Sequence, residues 1–168
     1  MGTREHKADA PAKLDIAIIT ASTTRKIEED ESGSWMRGYA EKSGHKIVQH
    51  IVVLDQTDLI TKATREIITT FRPAIILING GTGISKRDIT IEAVKPLFEK
   101  EMTGFGSLFA FLSFEQIGSA AILSRATAGV IEDTIVFCMP GSLKACQLAC
   151  ERLIFPEAGH LAKHVRIE

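Results

Sequence analysis

Short runs of β-branched apolar residues alternate with segments of helical periodicity along most of this 168-residue chain. The clearest run, at 74–78, reads Ala-Ile-Ile-Leu-Ile and has the continuous apolar character of a strand buried on both faces. Further strands are predicted at 14–20, 45–54, 120–123 and 134–139. Because helices that connect parallel strands cover both faces of a sheet, this order predicts a three-layer α/β/α domain with a mainly parallel central sheet.

Capping and breaking residues set the predicted ends of the helices. Gly44 and Pro73 are expected to end the first two helices, and Pro96 to kink or shorten the third. The glycines at 104 and 106 are expected to break the chain before a further helical run. The predicted N-cap residues are, in chain order, Ser34, Asp58, Thr90 and Ser142.

The overall composition limits the classes of function. No repeat or linker divides the chain, so residues 14–168 are predicted to form one domain after a flexible N-terminal tail at 1–13. That tail is polar and lacks the apolar centre of a secretory signal. A net charge of −1 gives no electrostatic reason to expect nucleic acid or an anionic membrane as a partner. No apolar stretch is expected to reach the roughly 20 residues of a membrane span, so a cytoplasmic enzyme or binding protein is predicted.

The three cysteines, Cys138, Cys146 and Cys150, lack the pair spacing of a zinc site. They are predicted to be small buried thiols. His160 and His164 share one helical face, which is only weak evidence for a metal, since most such pairs are solvated.

The predicted strand at 74–78 runs directly into a glycine-rich loop that contains Gly80, Gly81, Thr82 and Gly83. Glycines let backbone amides approach an anion without interference from side chains, and the next helix adds the positive end of its dipole. The loop matches neither a Walker nor a dinucleotide fingerprint, and a plain tight turn is the alternative. Lys86, Arg87 and Asp88 follow directly and favour phosphate and metal binding.

Two aspartates form the second candidate feature, since Asp55 follows a predicted strand and Asp88 follows the glycine loop. Mg²⁺ usually takes one or two carboxylates together with substrate phosphates and water. Ligands of open α/β sheets gather outside the carboxyl ends of the strands, so the two side chains are expected at one edge of the sheet. The alternative is that each aspartate merely caps a turn or a helix.

Two further segments could bind an anion. Ser142 follows Pro140 and Gly141 at a helix start, where it could bind an anion or serve only as the N-cap. Arg125, after Ser124, could clamp a phosphate or form a structural ion pair. The phenylalanines at 105, 109, 111 and 114 cluster in one stretch, which makes a homo-oligomer plausible.

The order and spacing of these motifs resemble the MoaB/MogA family of molybdenum cofactor biosynthesis, from about residue 14 to about residue 160. The MoaB branch is the nearer one. The stretches that carry the resemblance are Gly-Gly-Thr-Gly at 80–83, Arg-Asp-Ile-Thr at 87–90, Gly-Phe-Gly at 104–106, Leu-Ser-Phe-Glu-Gln-Ile-Gly at 112–118, Ser-Arg-Ala at 124–126 and Pro-Gly-Ser at 140–142.

The resemblance implies a molybdopterin-binding fold and molybdopterin adenylyltransferase activity, in which ATP and molybdopterin give adenylylated molybdopterin and pyrophosphate with Mg²⁺. It implies that Asp55 and Asp88 are the catalytic, metal-binding acids and that the protein is a homotrimer or a hexamer. The residues expected to bind nucleotide or pterin are Gly80, Gly81, Thr82, Gly83, Ser124, Arg125, Pro140, Gly141 and Ser142.

Two departures from the family pattern limit this transfer. Ser107 stands where the family commonly has a glutamate, and the loop at 20–25 lacks the usual Ser-Asp or Ser-Asn element. The alternative function is a non-catalytic molybdopterin-binding or scaffold protein of the same pathway. A nucleotide-processing enzyme, as in the competence-damage protein family, fits the Arg87-Asp88 pair less well. The sequence does not distinguish molybdenum from tungsten pathways.

Overall fold

The computed structural model describes residues 11–166, so most of the predicted tail at 1–13 lies outside the described residues. The described strands form one sheet in the order β2-β1-β3-β6-β5-β4. They are β1 (Asp15–Ala21), β2 (Lys46–Val53), β3 (Ile75–Asn79), β4 (Lys100–Glu101), β5 (Thr127–Ile131) and β6 (Thr134–Met139). The pairs among β2, β1, β3 and β6 are parallel, whereas β5 pairs antiparallel with β6 and β4. The predicted mainly parallel sheet is confirmed.

Helices cover both faces of this sheet. They are α1 (Glu31–Lys42), α2 (Thr57–Phe71), α3 (Thr90–Val94), α4 (Thr103–Ile117), α5 (Leu143–Ala149) and α6 (Ala158–Val165). Residues of α2 and α3 pack on one face, and residues of α1, α4, α5 and α6 pack on the other. The three-layer α/β/α architecture is therefore confirmed.

The central strand β3 shows why the sequence folds in this way. All five of its residues are buried, as its continuous apolar run predicts. Successive side chains of a strand point to opposite faces. Ile75 and Leu77 therefore pack against one helical layer, whereas Ile76 and Ile78 pack against the other.

The predicted start of the first helix is wrong. The helix α1 begins at Glu31, and its N-cap is Asp30, whose carboxylate accepts a hydrogen bond of 3.0 Å from the backbone N–H of Gly33. Ser34 lies inside the first turn because an aspartate further upstream satisfies the free amides. The predicted end before Gly44 is confirmed, and Gly44 adopts a φ of 90°.

Two other predicted caps are also wrong. The helix α2 begins at Thr57, after Gln56, so Asp58 lies in its first turn and is not the cap. Thr90 is the first residue of α3, and its hydroxyl donates to the carbonyl of Gly80 over 2.8 Å. That bond ties the helix to the glycine loop. The fourth prediction is confirmed, since Ser142 caps α5.

The middle of the chain contains two further differences. The helix α4 begins at Thr103 and includes both Gly104 and Gly106, which do not break it. A Cβ atom at Gly106 would lie 2.7 Å from the carbonyl oxygen of Ala126, so this glycine permits close packing. The predicted strand at 120–123 is instead part of a 3-10 helix, Gly118–Leu123.

Together, α4 and this 3-10 helix form one stretch of 21 residues, within which a segment of 18 residues has a mean hydropathy of 1.3 and is 17% buried. Judged by length and composition alone, this stretch is long and apolar enough to cross a membrane. The expectation that no apolar segment reaches roughly 20 residues is therefore wrong. Phe105 and Phe109, however, pack into the core beneath α4. The apolar character of this stretch therefore serves packing on one side and leaves an exposed face on the other.

Candidate functional site

The carboxyl ends of three neighbouring strands are level with one another. Thr20 of β1 lies opposite Asn79 of β3, which in turn lies opposite Met139 of β6. The residues that follow these three therefore emerge at one edge of the sheet. This edge is where an open α/β sheet binds ligands.

A cavity of about 330 Å³ opens at this edge. Both predicted acids, Asp55 and Asp88, line it, together with the glycines of the turns after β3 and β6. The loop 21–25 after β1 forms the remaining wall, and Arg25 and Arg87 bring positive charge to the cavity. The structure thus brings the two distant carboxylates to one space beside backbone turns.

Asp55 is held at the cavity by two neighbours. Its Oδ2 accepts a hydrogen bond of 2.6 Å from the hydroxyl of Thr23. Its Oδ1 faces the glycine loop, since a Cβ atom at Gly81 would lie 3.1 Å from it and would also contact Thr90 Oγ1. Gly81 adopts a φ of 63°, in the left-handed region that favours glycine.

Asp88 is oriented by the loop that carries it. Its Oδ2 accepts a hydrogen bond of 2.8 Å from the backbone N–H of Ser85. Hydrogen bonds from Ser85, aided by Gly83 and the charge of Arg125, hold the pKa of Asp88 below its ordinary value, although partial burial opposes them. Asp88 is therefore an ionised oxygen donor at neutral pH.

The turns after β3 and β6 are in close contact. Gly80 adopts a φ of 91°, and a Cβ atom there would collide with the carbonyl oxygen of Ala21. A Cβ atom at Gly141 would lie 3.0 Å from the Cα of Gly80. Small residues at 80 and 141 are thus a packing requirement at this edge. The adjacent Ser142 accepts a hydrogen bond of 3.3 Å from the N–H of Ala145, as an N-cap does.

Arg125 forms an ion pair with Glu92, which is one of the two roles predicted for it. Its Nη1 and Nη2 donate to the two carboxylate oxygens of Glu92 over 2.6 and 3.3 Å. Its Nε donates to the carbonyls of Thr82 and Gly83, both over 3.0 Å. The bonds to Glu92 raise the pKa of Arg125, and they lower the pKa of Glu92. Arg125 therefore fastens the glycine loop to α3.

Several predicted ligand residues lie beside the cavity and do not line it. The hydroxyl of Thr82 is buried and has no partner among the described residues. Ser124 is half-buried next to Arg125, while Pro140 and Ser142 flank the lining residue Gly141.

Sequence reasoning missed part of the wall. The loop 21–25 has no glycine motif, and Arg25 carried no prediction of its own, but its Nη1 lies 3.4 Å from the carbonyl of Gly141. Ser32 of α1 donates to the same carbonyl over 2.9 Å. The signal that could have found this loop is its place directly after a buried strand, at the edge where the other motifs were already expected.

The other candidate groups do not form a site. All three cysteines are buried and free, as predicted, and burial raises the pKa of Cys146 to about 12. His160 and His164 lie with their Nε2 atoms 2.9 Å apart. Within residues 11–166, no group of three or more histidine, cysteine or acidic side chains could hold a metal ion. Mg²⁺ needs only one or two protein carboxylates, so Asp55 and Asp88 in one cavity fit this ion as oxygen donors.

Comparisons with known proteins agree with this fold. A model of the family described as "Probable molybdopterin binding domain" matches residues 17–160. Molybdenum cofactor biosynthesis protein B of Bacillus subtilis (strain 168) is 46% identical over 167 residues, which cover 99% of this chain and 98% of that protein. The protein of the same name from Escherichia coli (strain K12) is 42% identical over 142 residues, with 84% of each covered.

Solved structures give the same result. The tungsten cofactor synthesizing protein MoaB from Pyrococcus furiosus superposes with a TM-score of 0.84 at 36% identity, over 94% of this chain and 100% of that one. A crystal structure of a Molybdenum cofactor biosynthesis protein B gives a TM-score of 0.90 at 43% identity, over 93% and 98%. The resemblance to the MoaB/MogA family is confirmed, and this chain belongs to the family of probable molybdopterin-binding domains.

Proposed function

We propose that this chain acts in molybdenum cofactor biosynthesis as a molybdopterin adenylyltransferase, a nucleotidyltransferase that moves AMP from ATP to molybdopterin. The family match and the names of the relatives support the pathway. One observation carries the catalytic part of the proposal. Asp55 and Asp88, 33 positions apart in the sequence, line the same cavity beside a glycine loop.

In the proposed reaction, a terminal phosphate oxygen of molybdopterin attacks the α-phosphorus of ATP. A new phosphorus–oxygen bond forms while the bond to the bridging α–β oxygen breaks, and pyrophosphate leaves with that oxygen. The products are adenylylated molybdopterin and pyrophosphate. Transfer at phosphorus depends mainly on positioning the reactants and on neutralising charge.

Asp55 and Asp88 would hold Mg²⁺ as hard oxygen donors, the type of ligand that this ion prefers. When bound, Mg²⁺ supplies charge neutralisation at the phosphates. The chain contributes the placement of its ligands, since Thr23 fixes Asp55 and Ser85 fixes Asp88 in its ionised form. Arg25 and Arg87 add positive charge to the same cavity.

Backbone groups of the loop at 80–83 are the proposed cradle for the nucleotide phosphates. The pterin phosphate is assigned to Ser124, Arg125 and the turn at 140–142. In that assignment, Arg125 binds phosphate with N–H groups that its pair with Glu92 leaves available, since the Nε is engaged by the glycine loop.

The test is to incubate the protein with molybdopterin, ATP and Mg²⁺ and to measure the adenylylated product by mass. We expect Asp88→Asn to lower the turnover at least about a hundredfold, because removing a single charged group from such a site commonly costs that much. Asp133→Asn is the matched control, since Asp133 is exposed in the turn before β6, at the opposite edge of the sheet.

Full turnover by Asp88→Asn would remove the proposed metal role. A wild-type protein that binds molybdopterin and forms no product in the presence of ATP and Mg²⁺ would instead support the alternative, a non-catalytic molybdopterin-binding or scaffold protein of the same pathway.

The proposal includes self-association into a homotrimer or a hexamer in the cytoplasm. The outer face of α4 and the following 3-10 helix exposes six large apolar side chains, each at least 51% exposed. They are Leu108, Phe111, Phe114, Ile117, Ile122 and Leu123. Large apolar side chains exposed together along one helix indicate an interaction site, and a second copy of the chain is the proposed occupant.

A further inference from the structure

A chain of buried polar side chains runs beneath the cavity. Thr20, Asp30 and Asn79 are each at most 1% exposed. None of them has a part in the proposed reaction. Buried polar groups are costly unless they are paired, so a network of this kind calls for an explanation in terms of structure or function.

The charge of Asp30 determines which groups of the network donate hydrogen bonds and which accept them. Its Oδ2 accepts hydrogen bonds from the hydroxyl of Thr20 over 2.6 Å and from Nε2 of His50 over 2.8 Å. Burial acts to raise the pKa of Asp30, but the bonds from His50, Thr20 and Gly33 outweigh it and hold the pKa below its ordinary value. Because an ionised carboxylate only accepts hydrogen bonds, Thr20 must donate its single hydroxyl proton to Asp30.

The same argument determines which atom of the Asn79 amide is the donor. Since the Thr20 hydroxyl has already donated its proton, its oxygen accepts from Nδ2 of Asn79 over 2.7 Å. The same Nδ2 lies 3.4 Å from the carbonyl of Ile19. A reversed amide would place Oδ1 against two acceptors, so the orientation of the Asn79 side chain is fixed. Its Oδ1 therefore points away from β1, and it lies 3.9 Å from where a Cβ atom of Gly141 would stand.

This fixed orientation leaves the Oδ1 of Asn79 buried and without a partner among residues 11–166. Unpaired buried acceptors are rare in folded proteins, and each one requires a reason. Asn79 immediately precedes Gly80, and its unpaired oxygen lies beside Gly141, so both turns of the cavity wall are next to this side chain. The first turn of α1 also holds Gly141 directly, through Ser32.

We infer that the N-terminus of α1, its N-cap Asp30 together with Ser32, is a positioning device for the ligand site. Asp30 acts through Thr20 on Asn79 and the turn at Gly80, and Ser32 acts on the turn at Gly141. Together they set the spacing of the turn proposed to hold the nucleotide phosphates and the turn proposed to hold the pterin phosphate. The inference rests on the proposed function for its two ligands, but the spacing of the two turns is a property of the protein alone.

The test uses two isosteric substitutions, Thr20→Val and Thr134→Val. Both threonines are at most 2% exposed, and each hydroxyl donates one hydrogen bond, but Thr134 donates to the carbonyl of Pro73, at the opposite edge of the sheet. Thermal melting and the KM and kcat of the adenylyl transfer are measured for both. Hydrogen exchange of the Asn79 side-chain amide is followed by NMR.

We expect both variants to melt at a similarly lowered temperature. Only Thr20→Val should raise the KM for ATP, by roughly tenfold, the effect of losing about one hydrogen bond. Its kcat should stay within about twofold, and its Asn79 amide should exchange at least about tenfold faster. Thr20→Ser, which keeps the hydroxyl, should restore both values. Ser32→Ala should raise the KM for molybdopterin, and it tests the same device if Thr20→Val does not fold.

Equal KM values for ATP in Thr20→Val and Thr134→Val would overturn the inference, since a merely structural hydroxyl lowers the folded fraction alone. If the wild-type protein forms no adenylylated product, the proposed function fails. In that case the hydrogen exchange of the Gly80 backbone amide, which donates to the carbonyl of Met139 between the two turns, decides the positioning role, and equal exchange in Thr20→Val and Thr134→Val would overturn it.

Discussion

Gly83 lies so close to Asp88 that a single added methyl group must displace the carboxylate. A Cβ atom at Gly83 would stand 2.8 Å from Asp88 Oδ2, which is the end of a movable side chain. The φ of Gly83 is not in the left-handed region, so the backbone can accept alanine. A substitution of Gly83 by alanine is therefore expected to move the carboxylate of Asp88 without destabilising the fold.

We predict that Gly83→Ala lowers the adenylyl transfer by roughly tenfold to a hundredfold, because a small misplacement of a reacting group is costly. Its melting temperature should remain close to that of the wild type. Gly104→Ala is the control, since a Cβ atom there meets nothing within 4 Å. Activity is measured by product mass and stability by thermal melting, and an unchanged rate for Gly83→Ala would show that Asp88 needs no fixed position.

The buried Asp30 links stability to acid pH. Folding holds its pKa below the ordinary value, so its contribution is fully present above the pH at which an unfolded aspartate ionises. That contribution is lost as the pH falls through the lower folded value.

We therefore predict that the wild type loses its stability advantage over Asp30→Asn as the pH decreases below about 4. Melting curves at a series of pH values measure this difference. Asp133→Asn, at an exposed turn, serves as the control for general effects of acid. A constant gap between the wild type and Asp30→Asn down to low pH would contradict the ionised state of Asp30.

The sequence predicts where some of these residues lie in the fold, but it does not predict the role of others. Asp55 and Asp88 each follow a recognisable strand or glycine loop, so topology alone predicted a shared edge. Asp30 stands in a polar stretch, and its partners Thr20 and His50 come from strands 10 and 20 positions away. Its role exists only after those strands pair, and local patterns do not encode it.

At the scale of elements, the pair of Arg125 and Glu92 connects three segments. Arg125 follows the 3-10 helix Gly118–Leu123, Glu92 belongs to α3, and the carbonyls that Arg125 Nε contacts belong to the glycine loop. The pair is partly exposed, so it adds little to global stability. Its main effect is to hold the loop that carries the proposed nucleotide site.

We predict that Glu92→Gln reduces the adenylyl transfer several-fold while the free energy of unfolding changes by less than about 1 kcal/mol. Glu41→Gln is the matched control, because it weakens an exposed ion pair, Arg37–Glu41, within α1. Kinetics and urea unfolding of both variants provide the comparison. Equal activity in the two variants would indicate that the loop keeps its shape without the pair.

The element boundaries show where sequence reasoning fails. The apolar run at 120–123 resembles a strand, but Ile122 is 85% exposed and Leu123 is 53% exposed, so these residues are apolar for another reason. The actual strand β5 contains Ala128 and Gly129, whose small side chains give a weak strand signal. Gly129 has no room for a side chain, because a Cβ atom there would collide with Phe98.

At the scale of the whole molecule, α4 presents an exposed apolar face that no other described residue covers. Phe111 is 61% exposed and Phe114 is 59% exposed. Phe105 and Phe109 of the same helix are buried, so the helix is apolar on both sides. Such a helix is typical of an element covered on both faces.

We predict that Phe111→Glu shifts the protein to a smaller species in sedimentation velocity, because a buried unpaired charge opposes association. Leu59→Glu is the control. Leu59 is an exposed apolar residue in the first turn of α2, on the other face of the sheet, where glutamate also suits the helix dipole. A wild type that sediments as a monomer would overturn the proposed self-association.

The burial of the three cysteines has a practical consequence for all of these measurements. They are the only cysteines of the chain, and each thiol is enclosed in the core, with its pKa raised by burial. A cysteine engineered at an exposed surface position would therefore be the single thiol open to a maleimide dye in the native protein. Fluorescent reporters can be attached beside the cavity or on α4 without first removing the native sulfur atoms.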